Sequence, residues 1–414
     1  MSEPNNISFI RKMFSDFYSK NADKIEPPKS IENREFGFSL FKENVMVRHK
    51  SFARIEDLRD FIKKNVPSNV YYSSAYYSFP EAKMDEKGWL GSDLFFDIDA
   101  DHIPTKCNKM HDSWTCKSCN FEGRGKAPEK CPNCGGESFE ERTWPCEVCL
   151  EAARVETIKL IDILLEDFGL SADEIKCSFS GHRGYHVGVE SDIVLELDAL
   201  SRKEIVDYIT GTGIDAIFHG LDEIRSGSSK IIVGPSLDDP GWRGRAARGT
   251  YDFLLRATAS ELKSLGIKKN VVMELVEKRD AILESWKRGG PWNTVRGLGI
   301  KGWGKIIQRG ASLQSANIDT VVTVDIHRLI RLPGTLHGKT GLLKISFPVS
   351  RVEEFDPQKE AIAFKAGEVK VYVEEAPELR FGDEIFGPFK SQVVTLPAQV
   401  AIFLLCKGAA RVVD

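Results

Sequence analysis

The sequence predicts an α/β (α+β) fold, a core of strands and helices interrupted by a zinc-binding module and by a helical insertion. Runs of alternating apolar residues indicate strands before residue 100 and again after residue 174, and apolar residues at helical spacing indicate helices between them. Seven of the nine cysteines fall between Cys107 and Cys149. Strand signals are few between residues 198 and 300, so this stretch is expected to be mainly helical.

Six segments are expected along the 414 residues, because a chain of this length exceeds one typical domain. Three segments build a discontinuous core, one carries the cysteines, one is the helical insertion and one ends the chain. In order, they are residues 1–106 (core), 107–149 (zinc-binding insertion), 150–197 (core), 198–305 (mainly helical insertion), 306–350 (core) and 351–414 (C-terminal segment).

The composition excludes few classes of partner. The chain has 57 basic and 61 acidic residues, so its formal charge is −4. This net charge does not indicate a nucleic-acid partner, but it allows a local basic groove that could bind one. No apolar run approaches the ~20 residues that span a bilayer, and the N-terminus lacks a signal-peptide pattern. We therefore expect no membrane association and a location in the cytoplasm, or in the nucleus if the host has one.

The first core segment is expected to contain two helices and three strands before its acidic stretch. Arg48 lies in the second of these strands, where a lone arginine is ordinarily a solvated surface residue. The elements are a helix within 1–25 that ends before Pro27, strands Arg34–Phe41 and Val45–His49 joined by a turn at Lys42–Asn44, a helix Ile55–Asn65 and a strand Asn69–Tyr77.

The acidic stretch follows the apolar run Leu94–Phe96. On a strand, Asp97 and Asp99 point to the same face, with Asp101 just beyond. Two carboxylates at this spacing raise each other's pKa unless a cation lies between them, and Mg²⁺ or Mn²⁺ suits such oxygen ligands. The alternative is a solvated acidic turn at the end of a strand.

The clustered cysteines predict two zinc sites. Two CxxC pairs separated by a short polar hairpin are typical of a zinc ribbon, in which four thiolates close a tetrahedron. A second set brackets the ribbon, although ligands could be exchanged between the sets. A disulfide framework is the alternative, and the expected compartment disfavours it. The ribbon set is Cys116, Cys119, Cys131 and Cys134, and the outer set is Cys107, His111, Cys146 and Cys149.

A second core segment begins with a helix over 151–168 and a strand over Ile175–Phe179. The strand leads into the turn Ser180–Val189, where two glycines permit close backbone approach to a ligand. Arg183 offers a planar fork suited to phosphate oxygens, and Ser180, His182 and His186 add polar groups. This pattern favours a phosphate-binding turn. The alternative is a β-hairpin turn with incidental polar residues.

Within the helical insertion, we expect helices at Leu200–Ile209, Ser260–Leu265 and Val271–Lys287. The basic, glycine-containing segment Trp242–Gly249 could contact a template backbone. A solvated loop is an equally good interpretation of this segment.

Polar signals return after residue 316, where Asp319 and Asp325 are two isolated acids. Arg331, His337 and Lys339 follow in a loop with Pro and Gly, which predicts a second phosphate cradle. We expect the rest of the chain to be a less regular tail from Glu374. Its regular elements are strands Leu342–Phe347 and Val369–Val373 and an apolar helix over 398–407.

Acids and cations together match the needs of a nucleotidyl transferase. Carboxylates hold divalent metals, the metals bridge phosphate oxygens, and cations neutralise the rest of a triphosphate. The acids are Asp97, Asp99 and a third from Asp319 or Asp325. The cations are Arg48, Arg183, His186, Arg331, His337 and Lys339.

Five motifs carry a resemblance to a known family. In order, they are Arg34–Phe36, Tyr72–Ala75, Phe96–Asp99, Ser180–His186 and Arg328–Gly341, and they are distributed over most of the stretch 30–347. In these motifs the chain resembles the small, catalytic subunit of the archaeal/eukaryotic-type DNA primase, and the last motif is closer to archaeal members.

The resemblance implies a mixed sheet flanked by helices and related to the RNA-recognition fold. It implies Mg²⁺ or Mn²⁺ held by Asp97, Asp99 and Asp319, with Asp325 as the reserve candidate. Further implied roles are nucleotide binding by Arg48, Ser180, Arg183, His186, Arg331 and His337, and a structural zinc site at Cys107, His111, Cys146 and Cys149. The ribbon at 116–134 departs from the family and is inserted inside that site, which makes two zinc ions.

The implied function is template-directed synthesis of primers on single-stranded DNA from nucleoside triphosphates. The implied partner is the large primase subunit, which forms a heterodimer and carries an iron–sulfur cluster in its own chain. Two alternatives stay open. One is a repair or end-filling polymerase of the same superfamily, and the other is a non-enzymatic zinc-ribbon protein that binds nucleic acid.

Overall fold

The computed structural model describes residues 3–41, 46–103 and 105–413. The α/β (α+β) class is confirmed, because helices and strands alternate along these described residues. The α-helices are α1 (Glu3–Asn21), α2 (Ile55–Asn65), α3 (Asn108–His111), α4 (Glu147–Glu166), α5 (Ala199–Thr210), α6 (Gly241–Arg256), α7 (Ala259–Ser264), α8 (Lys269–Glu277), α9 (Arg279–Ser285), α10 (Ile300–Gln314), α11 (Thr320–Val324), α12 (Pro357–Glu360) and α13 (Ala398–Cys406).

Strands make up the rest of the regular structure. They are β1 (Phe36–Ser39), β2 (Met46–Lys50), β3 (Asn69–Ser73), β4 (Ala75–Tyr77), β5 (Trp89–Ser92), β6 (Leu94–Asp99), β7 (Ser113–Cys116), β8 (Glu122–Arg124), β9 (Phe139–Arg142), β10 (Ile175–Phe179), β11 (Gly184–Val189), β12 (Asp222–Ser226), β13 (Ser229–Val233), β14 (Leu329–Arg331), β15 (Ile345–Pro348), β16 (Glu368–Ala376), β17 (Leu379–Phe381), β18 (Glu384–Phe386), β19 (Phe389–Pro397) and β20 (Ala410–Val412).

The chain divides into two compact units. The first contains Met1–Ile158, Ser171–Lys203 and Ile318–Asp414, and the second contains Lys159–Leu170 and Glu204–Asn317. Every candidate acid, cation and zinc ligand named above belongs to the first unit.

Two four-stranded sheets organise the first unit, in the orders β14-β3-β1-β2 and β15-β10-β11-β6. Smaller sheets are β8-β7-β9, β19-β16-β20, β4-β5 and β17-β18. The strand pairs of the described chain are antiparallel, and they lie in several sheets instead of one. Helix α13 is apolar on all sides and buried from Val400 to Leu405, as expected of a core helix.

The second unit has its own aromatic core. Trp292 makes edge contacts with Trp286 and Trp303, at ring-centroid distances of 5.7 and 5.1 Å. Helices α6 and α10 approach closely at Gly249 and Gly310, where a Cβ on Gly249 would lie 2.2 Å from the Gly310 carbonyl oxygen.

Several predicted elements are confirmed with small shifts of their ends. The helix at Ile55–Asn65 and the strand at Ile175–Phe179 have the predicted bounds. The predicted hairpin is confirmed, because β1 pairs with β2 in antiparallel register. Its predicted turn, Lys42–Asn44, and the first residue of its second strand, Val45, lie outside the described residues.

Other local predictions are wrong. The single strand Asn69–Tyr77 is two strands, β3 and β4, because the Ser73 and Ser74 carbonyls turn to accept hydrogen bonds from the buried Arg34 guanidinium. The irregular tail after Glu374 is instead ordered, because β16 continues to Ala376 and pairs with both β19 and β20.

In the insertion, the predicted helix Val271–Lys287 is broken at Lys278 into α8 and α9. The basic segment Trp242–Gly249 is part of helix α6 and not a loop. Arg245 within it is buried, and its Nε donates to Asp167 Oδ2 at 2.5 Å, so this arginine cannot face a template. None of the helices in the described ranges combines the length and apolarity that crossing a membrane requires.

Candidate functional site

Asp97 and Asp99 lie on strand β6, which pairs with β11 in the second four-stranded sheet. Leu94, Phe96 and Ile98 are buried, which fixes the strand, while the two acids are only partly buried. The register sets Asp97 opposite His186 and Asp99 opposite Gly184. Asp99 Oδ1 also accepts the Asp101 amide at 3.1 Å, which caps the turn that ends the strand.

Asp319 reaches the same place from a distant part of the chain. Its backbone amide donates to the Asp97 carbonyl at 2.8 Å, and its carboxylate caps α11 by accepting the Val321 amide at 3.0 Å. Asp325 follows the last residue of α11, and its carboxylate accepts the His327 amide at 2.9 Å. Asp319 is therefore the acid that lies beside Asp97.

Asp97 experiences the negative charges of the other two acids. Burial and the negative charges of Asp99 and Asp319 raise the pKa of Asp97 to about 7. Burial also raises the pKa of Asp99. A hard divalent cation would offset this repulsion, and carboxylate oxygens are its preferred ligands, so the donor set fits Mg²⁺ or Mn²⁺.

The spacing of the acids is looser than that of a closed metal cage. Within the described ranges, the two cysteine sets are the groups in which three or more possible metal-ligand atoms all lie within 4.8 Å of one another. The carboxylate oxygens of Asp97, Asp99 and Asp319 are farther apart than this. Asp101, which follows them in sequence, forms an ion pair with Arg183 instead.

His186 stands between the acids and a buried lysine. Its Nε2 lies 3.4 Å from Asp97 Oδ1, and its Nδ1 lies 3.0 Å from Lys344 Nζ. Burial and the positive charge of Lys344 hold the pKa of His186 well below its usual range, so the imidazole is neutral at pH 7. Lys344 was not identified as a site residue from the sequence. Its signal was a single lysine flanked by the apolar residues Leu343 and Ile345, and a lysine is costly to bury without a role.

Arg183 is buried and is held by two carboxylates. Its guanidinium pairs with Asp101, and its Nη1 lies 2.8 Å from Asp112 Oδ2. Its Nε lies 3.9 Å from Asp99 Oδ1 and has no hydrogen-bond partner in the described chain. Asp112 is a further residue that sequence reasoning missed.

The turn that carries Arg183 is closed by its own serine. Ser180 Oγ accepts the amides of His182 and Gly184, each at 3.2 Å. Gly181 has φ +84°, which favours glycine. A Cβ on Gly184 would lie 2.3 Å from the Ile98 carbonyl, so only glycine allows β11 to pair with β6 at Asp99.

The two predicted phosphate cradles lie together. Arg331 is in strand β14 and not in a loop, and its Nη1 donates to the Ser180 carbonyl at 3.0 Å. The rings of His182 and His337 stack at a centroid distance of 5.3 Å. Thr340 Oγ1 donates to the Gly181 carbonyl at 2.5 Å.

Both stacked imidazoles are neutral. Burial and the neighbouring cations hold the pKa values of His182 and His337 well below their usual range. Arg331 Nη2 contacts Asn69 Oδ1 and the Tyr71 hydroxyl at 3.2 and 3.3 Å, while its Nε is buried with no hydrogen-bond partner in the described residues. Two guanidinium Nε atoms, those of Arg183 and Arg331, thus lack hydrogen-bond partners among the described residues.

Arg48 lies in the other four-stranded sheet, on its edge strand β2. Its Nε is 3.0 Å from Oε1 of Glu35, whose carboxylate is fully buried. In the described chain, Arg48 makes its ion pair with Glu35 and none with the three acids.

The cysteines form the two predicted sets, and both could bind zinc. In the ribbon, Cys116 and Cys134 Sγ are 3.6 Å apart, and Cys119 and Cys131 Sγ are 3.7 Å apart. A tetrahedron with zinc–sulfur bonds of ~2.3 Å has sulfur–sulfur edges of about 3.8 Å, so the ribbon fits the ion. None of the described cysteines forms a disulfide.

The outer set is buried more deeply than the ribbon. Cys149 Sγ lies 3.3 Å from Cys107 Sγ and 3.5 Å from His111 Nε2. The other ring nitrogen, His111 Nδ1, lies 2.7 Å from Asp112 Oδ1, a second-layer contact that orients a histidine ligand.

Acids on strand β6 and at the start of α11, with buried cations from the Ser180 turn and from strand β14, suit a nucleotidyltransferase of the polymerase type. Comparison with known proteins agrees. The family model described as DNA primase small subunit matches residues 137–349. The chain belongs to the DNA primase small subunit family, which implies a polymerase activity of the nucleotidyltransferase type.

Curated relatives match nearly the whole chain. Proteins named DNA primase small subunit PriS from Archaeoglobus fulgidus, Methanococcoides burtonii and Cenarchaeum symbiosum are 35%, 34% and 32% identical to it. Each match covers 97% of this chain and 97% of the relative. The similarity therefore includes the C-terminal segment as well as the motifs.

Proposed function

We propose that this chain is the catalytic subunit of a DNA primase that makes short primers on single-stranded DNA by nucleotidyl transfer. The observation that carries the proposal is the convergence of Asp97, Asp99 and Asp319 on one side of a cluster of buried cations. The Nε atoms of Arg183 and Arg331, which lack hydrogen-bond partners in the described chain, support it, because buried donors without acceptors are suited to an anionic ligand.

In this proposal the three acids hold the Mg²⁺ or Mn²⁺ ions. When bound, such metals lower the pKa of the attacking 3′-hydroxyl and stabilise the pyrophosphate that leaves. Asp97 and Asp99 are oriented by the β6–β11 pairing, and Asp319 by its cap of α11. His186 keeps Asp97 in place through its Nε2, because its Nδ1 faces Lys344.

The cationic side of the site would receive the triphosphate. Arg183 and Arg331 each offer a buried Nε, and His337 and the turn at Ser180 lie between them. Arg183 is held rigidly by Asp101 and Asp112, so little side-chain entropy is lost when it meets a phosphate. Arg48 would join from the adjacent sheet once a nucleotide is present.

We further propose a heterodimer with a large primase subunit, a single-stranded DNA template and nucleoside triphosphates as partners. The 107–149 segment would hold two structural zinc ions, one in each set. We also propose that the chain is divided into the core, zinc-binding, helical and C-terminal segments expected from the sequence.

The test compares matched asparagine variants in a priming assay on unprimed single-stranded DNA. Asp97→Asn and Asp319→Asn keep the size of each side chain, and asparagine caps a helix as well as aspartate does. Each variant should lose more than about 1000-fold of the activity, since several kcal/mol of charge stabilisation disappear. Asp325→Asn, a matched acid at the other end of α11, should retain activity.

Zinc content and circular dichroism should be unchanged in all three variants. Full primer synthesis by Asp97→Asn would refute the catalytic assignment. Extension of annealed primers without any initiation on a single strand would instead identify a repair or end-filling polymerase. Absence of divalent-dependent triphosphate binding would leave a non-enzymatic nucleic-acid-binding protein.

A further inference from the structure

The C-terminal segment brings a lysine, Lys407, to the cationic side of the site. Helix α13 ends at Cys406, and the Lys407 amide donates to the Phe403 carbonyl at 2.9 Å. Gly408 then turns the chain with φ +65° into β20, which pairs with β16. Because the helix before it is buried and the strand after it is paired, the backbone at Lys407 is fixed on both sides.

The side chain of Lys407 points into the turn that carries Ser180 and Arg183. Its Nζ lies 2.6 Å from His182 Nε2, and the His182 ring is stacked on His337. The contact uses one of the three ammonium donors. At least one donor is therefore left for a ligand that reaches the stacked histidines.

Charges around Lys407 are unbalanced. Burial and the positive charges of Arg183 and Lys339 lower its pKa to about 7, and Asp112 and Asp99 only partly oppose this. In the described residues, Lys407, Lys339 and Arg331 form no ion pair with a carboxylate within 4.0 Å, although each of them affects the pKa of His182. Clustered cations without counter-charges destabilise the protein unless an anion binds between them.

Packing gives only a weak reason for a lysine at this position, because its Nζ lies 5.8 Å from the centroid of the Phe403 ring, near the outer limit of a cation–π contact. Its neighbour in space, His182, already has a hydroxyl partner in Thr143, at 3.4 Å. An apolar residue after α13 would avoid the cost of burying an ammonium group beside other cations. The geometry instead suits a ligand with several negative charges, which can neutralise three cations at once.

We propose that Lys407 is a further binding residue for the triphosphate of the incoming nucleotide, acting beside His182 and His337. This inference rests on the proposed function and adds to it a residue from the C-terminal segment. The segment would then be part of the nucleotide site and not only a cap on the core.

The test measures extension of an annealed primer by the full-length chain, with KM for nucleoside triphosphate and kcat determined separately. Lys407→Gln should raise KM by about tenfold or more and change kcat less than twofold, because a charge-assisted hydrogen bond to the triphosphate is lost. Inhibition by inorganic tripolyphosphate, a probe without base or sugar, should weaken by the same factor. Lys407→Arg should restore both values to within threefold.

Lys365→Gln is the matched control, since Lys365 is an exposed lysine of the same segment. It should behave like the unmodified chain. A KM for Lys407→Gln within twofold of the unmodified value would overturn the proposal. So would an equal loss in Lys407→Gln and Lys407→Arg with unchanged tripolyphosphate inhibition, which indicates a purely structural lysine.

Different results would overturn the proposed function and the assignment of Lys407. If Asp97→Asn still polymerises, the proposed function fails whatever Lys407 does. If Asp97→Asn is inactive but Lys407→Gln keeps its KM and its tripolyphosphate inhibition, only the assignment of Lys407 fails.

Discussion

Gly184 is the point at which the sheet and the acids can be tested together. It lies opposite Asp99 in the β6–β11 register. A Cβ added at this position would lie 2.3 Å from the Ile98 carbonyl oxygen and 3.0 Å from the Asp99 Cα atom. Both of these neighbours are backbone atoms, so no side-chain rotation can make room for the extra methyl group.

The size of the effect follows from these distances. Ordinary contact begins at 3.4 Å, so Gly184→Ala must separate the two strands locally by about 1 Å. Overpacking of this kind costs about 1–3 kcal/mol, and one ladder hydrogen bond adds about 1 kcal/mol. A misplacement of about 1 Å at a catalytic group lowers activity about 100-fold. We expect both losses in Gly184→Ala.

Gly188→Ala is the control on the same strand. Its added Cβ would meet the Phe95 ring at 3.4 Å, which is ordinary contact. Urea unfolding measures stability, hydrogen exchange of the β6 and β11 amides measures the local separation, and primer extension measures activity. Gly188→Ala should change each of these little.

A Gly184→Ala protein with unchanged β6 exchange and full activity would refute the reasoning. That result would mean that the position of Asp99 does not depend on this strand pairing. A loss of stability with full activity would refute only the link from the sheet to the catalytic site.

Two further predictions concern the metal sites and the buried charges. Metal analysis should return about two zinc ions per chain, and Cys131→Ser or Cys149→Ser should each lower that number to about one; one ion or none in the unmodified chain would contradict two separate sites. Burial raises the pKa of Glu35, but hydrogen bonding and the charge of Arg48 outweigh it, so the pKa lies below its usual range. The carboxylate therefore stabilises the fold above its unfolded pKa, and this contribution is lost as the pH falls through the lower folded value. Glu35→Gln should lower the free energy of unfolding by about 3 kcal/mol at pH 7, because Lys87 stays buried without its carboxylate partner. The loss should be clearly smaller at pH 3. Equal losses in urea unfolding at the two pH values would contradict this prediction.

Much of the fold could be predicted because it follows local patterns. The apolar run Leu94–Phe96, followed by acids at alternating positions, predicts strand β6, and the two CxxC pairs predict the ribbon, since both signals lie within a few residues. The irregular tail after Glu374 was a wrong prediction for a physical reason. Strand β16 depends on pairing with β19 and β20, and such partners cannot be read from the segment itself.

Part of the candidate site could also be predicted from local sequence. The acids and the glycine-containing turn have residue types whose chemistry is visible in the sequence. The roles of Lys344, Lys407 and Asp112 could not be predicted, because they depend on neighbours between about 70 and 225 positions away. The pairing of Arg183 with Asp101 and Asp112 was likewise beyond reach, since an arginine in a phosphate-type turn looks free until its partners are seen.

Asp112 has a consequence for how the protein matures. One of its carboxylate oxygens faces His111 of the outer cysteine set, and the other holds Arg183 beside Asp99. A chain that folds without metal at the outer set would keep its three acids, yet Asp112, one of the two carboxylates that hold this arginine, would be less well positioned. When zinc is scarce during synthesis, fully translated chains would therefore accumulate without becoming competent, and zinc supply would limit the number of working molecules.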